Sequence, residues 1–149
     1  MAEERVMRLI RREDLDAIVA IDELASKQNR RDYYEHKLAG ILSPGRSINT
    51  SLVCEIGGRI AGFIMGDVYF GEFGIPDTTA TIDTIGVHPD WQNKGVASEL
   101  LDQFFMNMKV AGVRKVYTLV NWDDFALERF FSHHKFVPSK RINLEYQVQ

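Results

Sequence analysis

The stretch from Thr79 to Ala111 constrains the fold more than any other part of this sequence. It begins with TATIDTIGV, a run rich in β-branched residues that predicts a strand over Thr79–Val87. It ends with apolar residues at spacings of three and four, which predict a helix over Gly95–Ala111. The connection between them, HPDWQNK, is short and polar. A strand that enters a helix through a short loop is half of a βαβ unit, so an α/β fold is expected.

The rest of the chain predicts a mixed sheet around this unit. The segments SLVCEI and RIAGFIMGDVYF flank Gly57–Gly58, which is a strong hairpin signal. Before the hairpin, the residue pattern predicts one strand and two helices, over residues 5–11, 14–26 and 31–42. After the long helix it predicts a strand, a helix and an extended segment, over residues 113–120, 123–134 and 136–148. The order β-α-α-β-β-β-α-β-α-β implies a mixed, mostly antiparallel α/β sheet with helices on both faces.

Length, net charge and cysteine content limit the classes of protein to which this chain can belong. With 149 residues, the chain fits a single domain over 1–149. A net charge of −3 argues against a general affinity for nucleic acid, and the apolar runs are too short to span a membrane. The N-terminus MAEERVMRLI is charged where a signal peptide would be apolar, and Cys54 has no second cysteine to pair with. These features predict a soluble cytoplasmic protein.

The loop into the long helix carries a short motif. Residues 92–97, QNKGVA, fit the pattern Gln/Arg-x-x-Gly-x-Gly/Ala, which occurs by chance in roughly one chain in seven of this length. Its position after a strand and at a helix start adds weight, because the first N–H groups of a helix lack internal partners and can bind an anion. The alternative interpretation is an ordinary strand-to-helix turn.

Longer segments of the sequence resemble the motifs of one known superfamily. IDTIGVHPDWQNKGVASELL resembles the central acetyl-CoA motif of the GNAT superfamily of acyl-CoA N-acyltransferases. DDFALERFFSHHKFVPS resembles its later motif, which usually reads Asn-x-x-Ala-x-x-x-Tyr-x-x-x-Gly-Phe, and NLEYQV resembles its final strand. The resemblance covers nearly the whole chain, including the element order. It implies an N-acetyltransferase that moves the acetyl group of acetyl-CoA directly to a primary amine, without a covalent acyl-enzyme.

The resemblance also implies where coenzyme A binds. Backbone N–H groups of the loop would hold its pyrophosphate, and the absence of a side chain at Gly95 would let the backbone approach closely. The pantetheine arm would pair with the strand edge at Ile85–Val87, and the Val87 N–H would polarise the thioester carbonyl. The implied coenzyme contacts are Ile85, Gly86, Val87, Gln92, Asn93, Lys94, Gly95, Val96, Ala97 and Phe131.

Amine acylation needs a general base, because an alkyl amine with a pKa near ~10.4 is protonated near neutrality. In the superfamily the base is often a carboxylate on the strand before the pyrophosphate loop, where Asp83 stands here. Strand alternation puts Asp83 on the side of Val87 unless a bulge intervenes. Glu72, in the loop GEFG, is a second candidate base, and Asp83 could instead be a structural carboxylate.

The usual general acid of the superfamily is the tyrosine of the later motif, and that position is Phe131 here. Phenylalanine cannot donate a proton. Either the thiolate leaves unaided, since a thiol pKa near ~8.5 makes it a tolerable leaving group, or Tyr117 on the adjacent strand replaces the acid. The missing tyrosine also motivates an alternative function, a non-catalytic acyl-CoA-binding module. Lys135 stands where the superfamily often has glycine, and a left-handed lysine there would cost on the order of 1 kcal/mol.

The charges around the expected site bear on the acceptor. The stretch 61–93 contains no lysine or arginine but five acidic residues. If Glu72 and Asp83 border the acceptor cleft, this charge favours a cationic amine. A polyamine, an aminoglycoside-like compound, an amino acid and a protein N-terminus or lysine all stay open. His133–His134 has no third ligand at a suitable spacing, so no metal is expected. A homodimer through the C-terminal strands is expected by analogy alone.

Overall fold

The structure, a computed structural model, describes residues 3–45 and 48–149. The chain divides into two compact units, Met1–Thr118 and Leu119–Gln149, and a single domain over 1–149 stays a prediction. Within the described ranges, every helix is too short or too polar to cross a lipid bilayer. The α-helices are α1 Leu15–Ser26, α2 Arg31–Ile41, α3 Val96–Val110 and α4 Phe125–His133. The strands are β1 Arg5–Leu9, β2 Leu52–Ile56, β3 Arg59–Phe70, β4 Thr78–Val87 and β5 Lys115–Thr118.

The sheet of the first unit runs in the order β1-β2-β3-β4-β5. Its first four strands pair antiparallel, and β4 pairs with β5 in parallel after the crossover through α3. The mixed, mostly antiparallel α/β sheet predicted from the sequence is therefore confirmed. The β2–β3 hairpin turns at Gly57 and Gly58, whose φ angles of 58° and 77° suit the two left-handed positions of a tight hairpin turn.

Helices cover both faces of this sheet, as predicted. On β3, Phe63 and Met65 join the core formed with α1 and α2. Side chains alternate along a strand, so Gly62 and Gly66 lie on the other side of β3. That side faces α3, since a Cβ at Gly66 would stand 2.7 Å from the Phe104 ring of this helix. We call these two sides the α1–α2 face and the α3 face. Since the glycines have no side chain, α3 lies close against β3 over this stretch.

A partly buried ion pair joins α1 to the start of α2. The Asp22 side chain is 8% exposed and accepts hydrogen bonds from Nε and one Nη nitrogen of Arg30. The fully buried Tyr34 donates its hydroxyl to the same carboxylate at 3.0 Å. The hydrogen bond from Arg30 lowers the pKa of Asp22 below its ordinary value and outweighs the opposing effect of burial. A carboxylate that is held by two nitrogens of one guanidinium fixes the orientation of both side chains.

The Asp22→Asn substitution is expected to make the protein less stable near neutral pH and less sensitive to acid. Removing the charge weakens the hydrogen bonds from Arg30, which lowers the free energy of unfolding by about 1.5–3 kcal/mol. Because the folded pKa of Asp22 is depressed, its stabilisation is complete above the unfolded value of 3.8 and is lost as pH falls through the folded value. Urea unfolding from about pH 7 down to about pH 2.5 measures both effects.

The matched control is Asp16→Asn on the same helix. Asp16 pairs with Arg31 at 2.8 Å, but its side chain is 86% exposed. An exposed pair contributes little, so this variant should keep the wild-type response to acid. If Asp22→Asn lost stability below about pH 4 as steeply as the wild type, Asp22 would not be the group that titrates.

The last predicted element is absent from the described structure. Extended structure is expected over 136–148, and NLEYQV resembles a final strand, but none of these residues joins a strand in the described chain. An extended segment becomes a strand only where a neighbouring strand supplies hydrogen-bond partners and another layer covers the apolar side. The last four large apolar side chains of 136–148 are instead between 83% and 87% exposed: Ile142, Leu144, Tyr146 and Val148.

Candidate active site

The strand β4 extends beyond its pairing with β5. That pairing ends at Ile82 and Thr118, whereas the pairing of β4 with β3 continues to Val87. His88 N donates to the carbonyl of Ala61 at 2.8 Å, so the alternation of an antiparallel ladder points the Val87 N–H away from β3. The end of β4 therefore presents backbone donors and acceptors on the side opposite β3.

The loop after β4 contains two left-handed residues just before α3. Asn93 and Gly95 have φ angles of 60° and 83°, and Lys94 between them is exposed. The Gln92 side chain ties the loop to the strand, because its Nε2 donates to the carbonyl of Val87 at 3.2 Å. The loop and the strand end are thus held together by a contact that the sequence motif itself provides.

The helix α3 starts with unused backbone donors. It has no side-chain cap among the described residues, and its first internal bond runs from Glu99 N to Gly95 O at 3.0 Å. The N–H groups of Val96 and Ala97 precede that bond and point out of the helix start. Glycine is needed at position 95 for its conformation and not for space, because a Cβ there would meet only Arg5 Nη1, at 3.9 Å.

A bulge interrupts β4 at Asp83. Met65 of β3 is opposite Thr84, and Gly66 is opposite Ile82, so Asp83 is an extra residue on β4. The side chains before and after the bulge therefore do not follow a single alternation. Thr84 shares the α1–α2 face with Met65, and Ile82 shares the α3 face with Gly66.

The bulge puts the side chains of Asp83 and Val87 on opposite faces of the sheet. Val87 is opposite Gly62, which faces α3. Asp83 lies on the α1–α2 face, where its Oδ2 accepts a hydrogen bond from Lys37 Nζ of α2 at 2.7 Å. The expectation from simple alternation, that Asp83 lies on the side of Val87, is wrong because the bulge adds one residue. The Val87 N–H lies in the plane of the sheet and is not restricted to either face.

The Asp83 carboxylate has two partners. Lys37 forms an ion pair with it at 2.7 Å, and the Thr81 hydroxyl donates to Oδ1 at 3.3 Å. The side chains of Lys37 and Asp83 are 32% and 25% exposed, so solvent reaches both. Burial opposes the charged form of Lys37, but the hydrogen bond and the charge of Asp83 outweigh it and raise the Lys37 pKa. Near neutral pH Lys37 therefore stays a charged ammonium in this contact.

Of the other two predicted catalytic residues, Tyr117 lies on the same face of the sheet as Asp83, and Glu72 does not lie near it. Tyr117 on β5 is the register partner of Thr81, so it shares the α1–α2 face with Asp83. Glu72 lies in an exposed turn between β3 and β4. The first half of β4 separates it from Asp83 by roughly 15 Å along the strand. The structure thus brings Tyr117 to the same region as Asp83 and leaves Glu72 apart.

Phe131 belongs to α4 of the second unit, where it is 4% exposed. Its ring packs against those of Phe130 and Phe136, with centroids 5.3 and 4.9 Å away. Lys135 has a φ of 71°, so the lysine occupies the left-handed conformation that glycine adopts most easily. Phe131 therefore serves packing within its own unit, and its contact with the coenzyme stays a prediction.

Comparison with known proteins identifies the family. Residues 12–136 match the model of the Acetyltransferase (GNAT) family. This chain belongs to the GNAT acetyltransferases. The GNAT match includes β4, the loop after it, α3 and the whole of α4. A protein named as an acetyltransferase from Pectobacterium atrosepticum is 26% identical over 125 residues, which are 81% of this chain and 79% of that protein.

Solved structures share the GNAT fold. The aminoglycoside N-acetyltransferase AAC(6')-Iy in complex with CoA has a TM-score of 0.81 at 13% identity, over 99% of this chain and 97% of that one. The ribosomal-protein-alanine N-acetyltransferase from Brucella melitensis biovar Abortus 2308 has a TM-score of 0.75 at 15% identity, over 98% and 100% of the two chains. At these identities the likeness establishes the fold and not the acceptor.

Proposed function

We propose that this GNAT chain transfers the acetyl group of acetyl-CoA directly to a primary amine. The observation that supports this most is the end of β4, where backbone groups point away from β3 and the chain enters the open start of α3. An acyl-CoA needs both features. Its pantetheine amides can pair with a strand edge, and its pyrophosphate can bind unused N–H groups at a helix start.

The coenzyme would lie along this edge and loop. Its pantetheine arm pairs with Ile85–Val87, and its pyrophosphate binds the backbone N–H groups of residues 93–97. Gln92 keeps the loop against the strand through its bond to the Val87 carbonyl. The exposed Lys94 adds positive charge beside the phosphates. Because most of these contacts come from the backbone, the conformation of the loop matters more than its side chains.

The transfer forms one bond and breaks another. The neutral amine nitrogen attacks the thioester carbon, the new C–N bond forms, and the C–S bond breaks to release the coenzyme thiolate. The Val87 N–H donates to the carbonyl oxygen as negative charge develops on it. Before the attack, Asp83 takes one proton from the ammonium form of the amine, and the nitrogen loses a second proton as the amide forms. The Tyr117 hydroxyl, on the same face as Asp83, is the group that can return a proton to the thiolate.

The Asp83→Asn substitution tests this assignment. An amide cannot accept the amine proton, so kcat for amine-dependent thiol release should fall by at least about 100-fold. The dissociation constant of acetyl-CoA should change by less than about twofold, since the coenzyme binds mainly to backbone groups. Steady-state thiol release with a panel of amines measures the first effect, and calorimetry measures the second.

The matched control is Glu72→Gln, which removes the other predicted base from its exposed turn. This variant is expected to keep a kcat close to that of the wild type. A loss confined to Glu72→Gln would assign the base to that turn. A wild-type kcat in Asp83→Asn would remove Asp83 from the mechanism.

A second candidate function is a non-catalytic acyl-CoA-binding module, favoured by Phe131 in place of the tyrosine acid. It predicts that acetyl-CoA binds but that no amine causes thiol release. An aminoglycoside and a peptide that begins with alanine belong in the amine panel, given the names of the two structural neighbours. The cytoplasmic location, a homodimer and the absence of nucleic-acid partners are predictions from the sequence.

A further inference from the structure

Beside Asp83, on the α1–α2 face, lies a cation, Lys37, that the sequence around Asp83 does not reveal. Residues 61–93 carry no lysine or arginine, which by itself favours a cationic acceptor. Folding brings Lys37 of α2 against Asp83, with Nζ 2.7 Å from Oδ2. The carboxylate proposed as the base is therefore already paired with a positive charge before an acceptor arrives.

Lys37 is the basic residue of α2 that an acceptor beside Asp83 would contact. The two arginines at the start of α2 have other partners, since Arg30 pairs with Asp22 and Arg31 pairs with Asp16. The Lys37 side chain is 32% exposed beside the proposed base, so a small molecule can reach its ammonium group. An acceptor that approaches the base must therefore interact with both members of the ion pair.

We propose that the acceptor carries a carboxylate beside its reacting amine, as an α-amino acid does, and that Lys37 binds this carboxylate. A purely cationic amine would have to share Asp83 with Lys37, which places two positive charges beside one negative charge. An amino acid adds its ammonium next to Asp83 and its carboxylate next to Lys37. The four charges then alternate, and each has an opposite charge as its neighbour. This inference rests on the acetyl transfer proposed above.

The same arrangement suits the proton transfer. Asp83 takes one proton from the α-ammonium, and the neutral nitrogen then attacks the thioester carbon. As the C–S bond breaks and the amide forms, the nitrogen loses a second proton. The Tyr117 hydroxyl can relay this proton to the coenzyme thiolate, because it gives its own proton to the sulfur and receives one in return. The products are an N-acetyl amino acid and coenzyme A. When Asp83 has become neutral, the carboxylate of the acceptor still pairs with Lys37. The lysine is thus not left beside an uncharged partner in the middle of the reaction.

The test compares amino acids with the amines that remain when their carboxylate is removed. Calorimetry on protein saturated with CoA measures four pairs: phenylalanine and phenethylamine, tryptophan and tryptamine, leucine and 3-methylbutylamine, lysine and cadaverine. At least one amino acid should bind about tenfold tighter than its amine. Lys37→Met should abolish this preference, and Lys37→Arg should keep most of it. Lys109→Met, at an exposed position of α3, is the control and should bind like the wild type.

Three outcomes would overturn the inference: equal or tighter binding of the amines by the wild type, an unchanged preference in Lys37→Met, or no binding of any amino acid. Thiol release with the same compounds tests acetyl transfer separately. Amino-acid binding that depends on Lys37, without thiol release, would support recognition by Lys37 and remove the proposed reaction. Thiol release with amines that lack a carboxylate, and none with amino acids, would support acetyl transfer and remove this acceptor class.

Discussion

Replacement of Gly95 by alanine is expected to weaken acetyl-CoA binding by at least about tenfold. Gly95 has a φ of 83°, a left-handed conformation in which an alanine Cβ costs roughly 1–2 kcal/mol. The loop can relieve that strain by rotating, and the rotation moves the N–H groups of Val96 and Ala97. Because hydrogen bonds to the pyrophosphate depend on direction, displaced donors bind it less tightly.

Thermal unfolding with and without acetyl-CoA measures this loss. At a coenzyme concentration about 100 times the dissociation constant, binding stabilises the folded state by about 2.7 kcal/mol. For a chain of 149 residues this raises the unfolding temperature by roughly 5–10 °C. At the same concentration, a tenfold weaker variant gains about 1.4 kcal/mol, so its temperature shift falls to about half. ATP and NAD are the ligand controls and should give no comparable shift.

Gly112→Ala is the matched control for backbone strain. Gly112 follows the other end of α3 with a φ of 79°, and a Cβ there would meet no described atom within 4 Å. Without ligand, Gly95→Ala and Gly112→Ala should each lose about 1–2 kcal/mol of unfolding free energy. Only Gly95→Ala should lose coenzyme binding. Equal coenzyme shifts in the two variants would place the coenzyme away from this loop.

The Phe104→Ala substitution is expected to lower the free energy of unfolding by about 3–5 kcal/mol. Phe104 is fully buried on α3, and its ring lies 2.7 Å from where a Cβ at Gly66 would stand. The ring therefore fills the space that the glycine leaves on β3. Alanine would leave a cavity between the helix and the sheet, because a packed interior relaxes only partly around a lost side chain. Urea unfolding near neutral pH measures the change.

Met106→Ala, on the same helix, is the control that distinguishes the loss of a buried side chain from the effect of an added alanine in α3. Met106 is 63% exposed, so its loss should change the free energy of unfolding by about 0.5 kcal/mol or less. Equal losses in Met106→Ala and Phe104→Ala would mean that Phe104 does not carry the contact between α3 and the sheet.

The sequence predicted the parts of the fold that depend on neighbouring residues. The hairpin at Gly57–Gly58 and the turn at Gly95 both require left-handed backbone, and glycine adopts it at little cost. The helix predicted over Gly95–Ala111 is observed as Val96–Val110. Residues three and four apart lie on one face of a helix, so the apolar spacing is visible in the sequence itself. The loop half of the candidate site is likewise local, since it consists of one strand end and the helix start that follows it.

The proposed catalytic half of the site depends on contacts between distant parts of the chain. Lys37 lies 46 residues before Asp83, and no local pattern marks it as a partner. The bulge at Asp83 depends on the register between β3 and β4, so strand alternation alone assigned the wrong face. The segment 136–148 is expected to end the chain as a strand, but a strand also needs a neighbouring strand as its hydrogen-bond partner.

The sequence by itself determined that a strand leads through a left-handed turn into the open start of a helix, since torsion angles and short-range periodicity specify such a unit. Only the tertiary structure decided which charge faces Asp83. That choice depends on how α2 packs against β4, and it is the basis for the acceptor proposed above, an amine with its own carboxylate. Local conformation follows from each residue and its neighbours, whereas the pairing of charges follows from packing between elements.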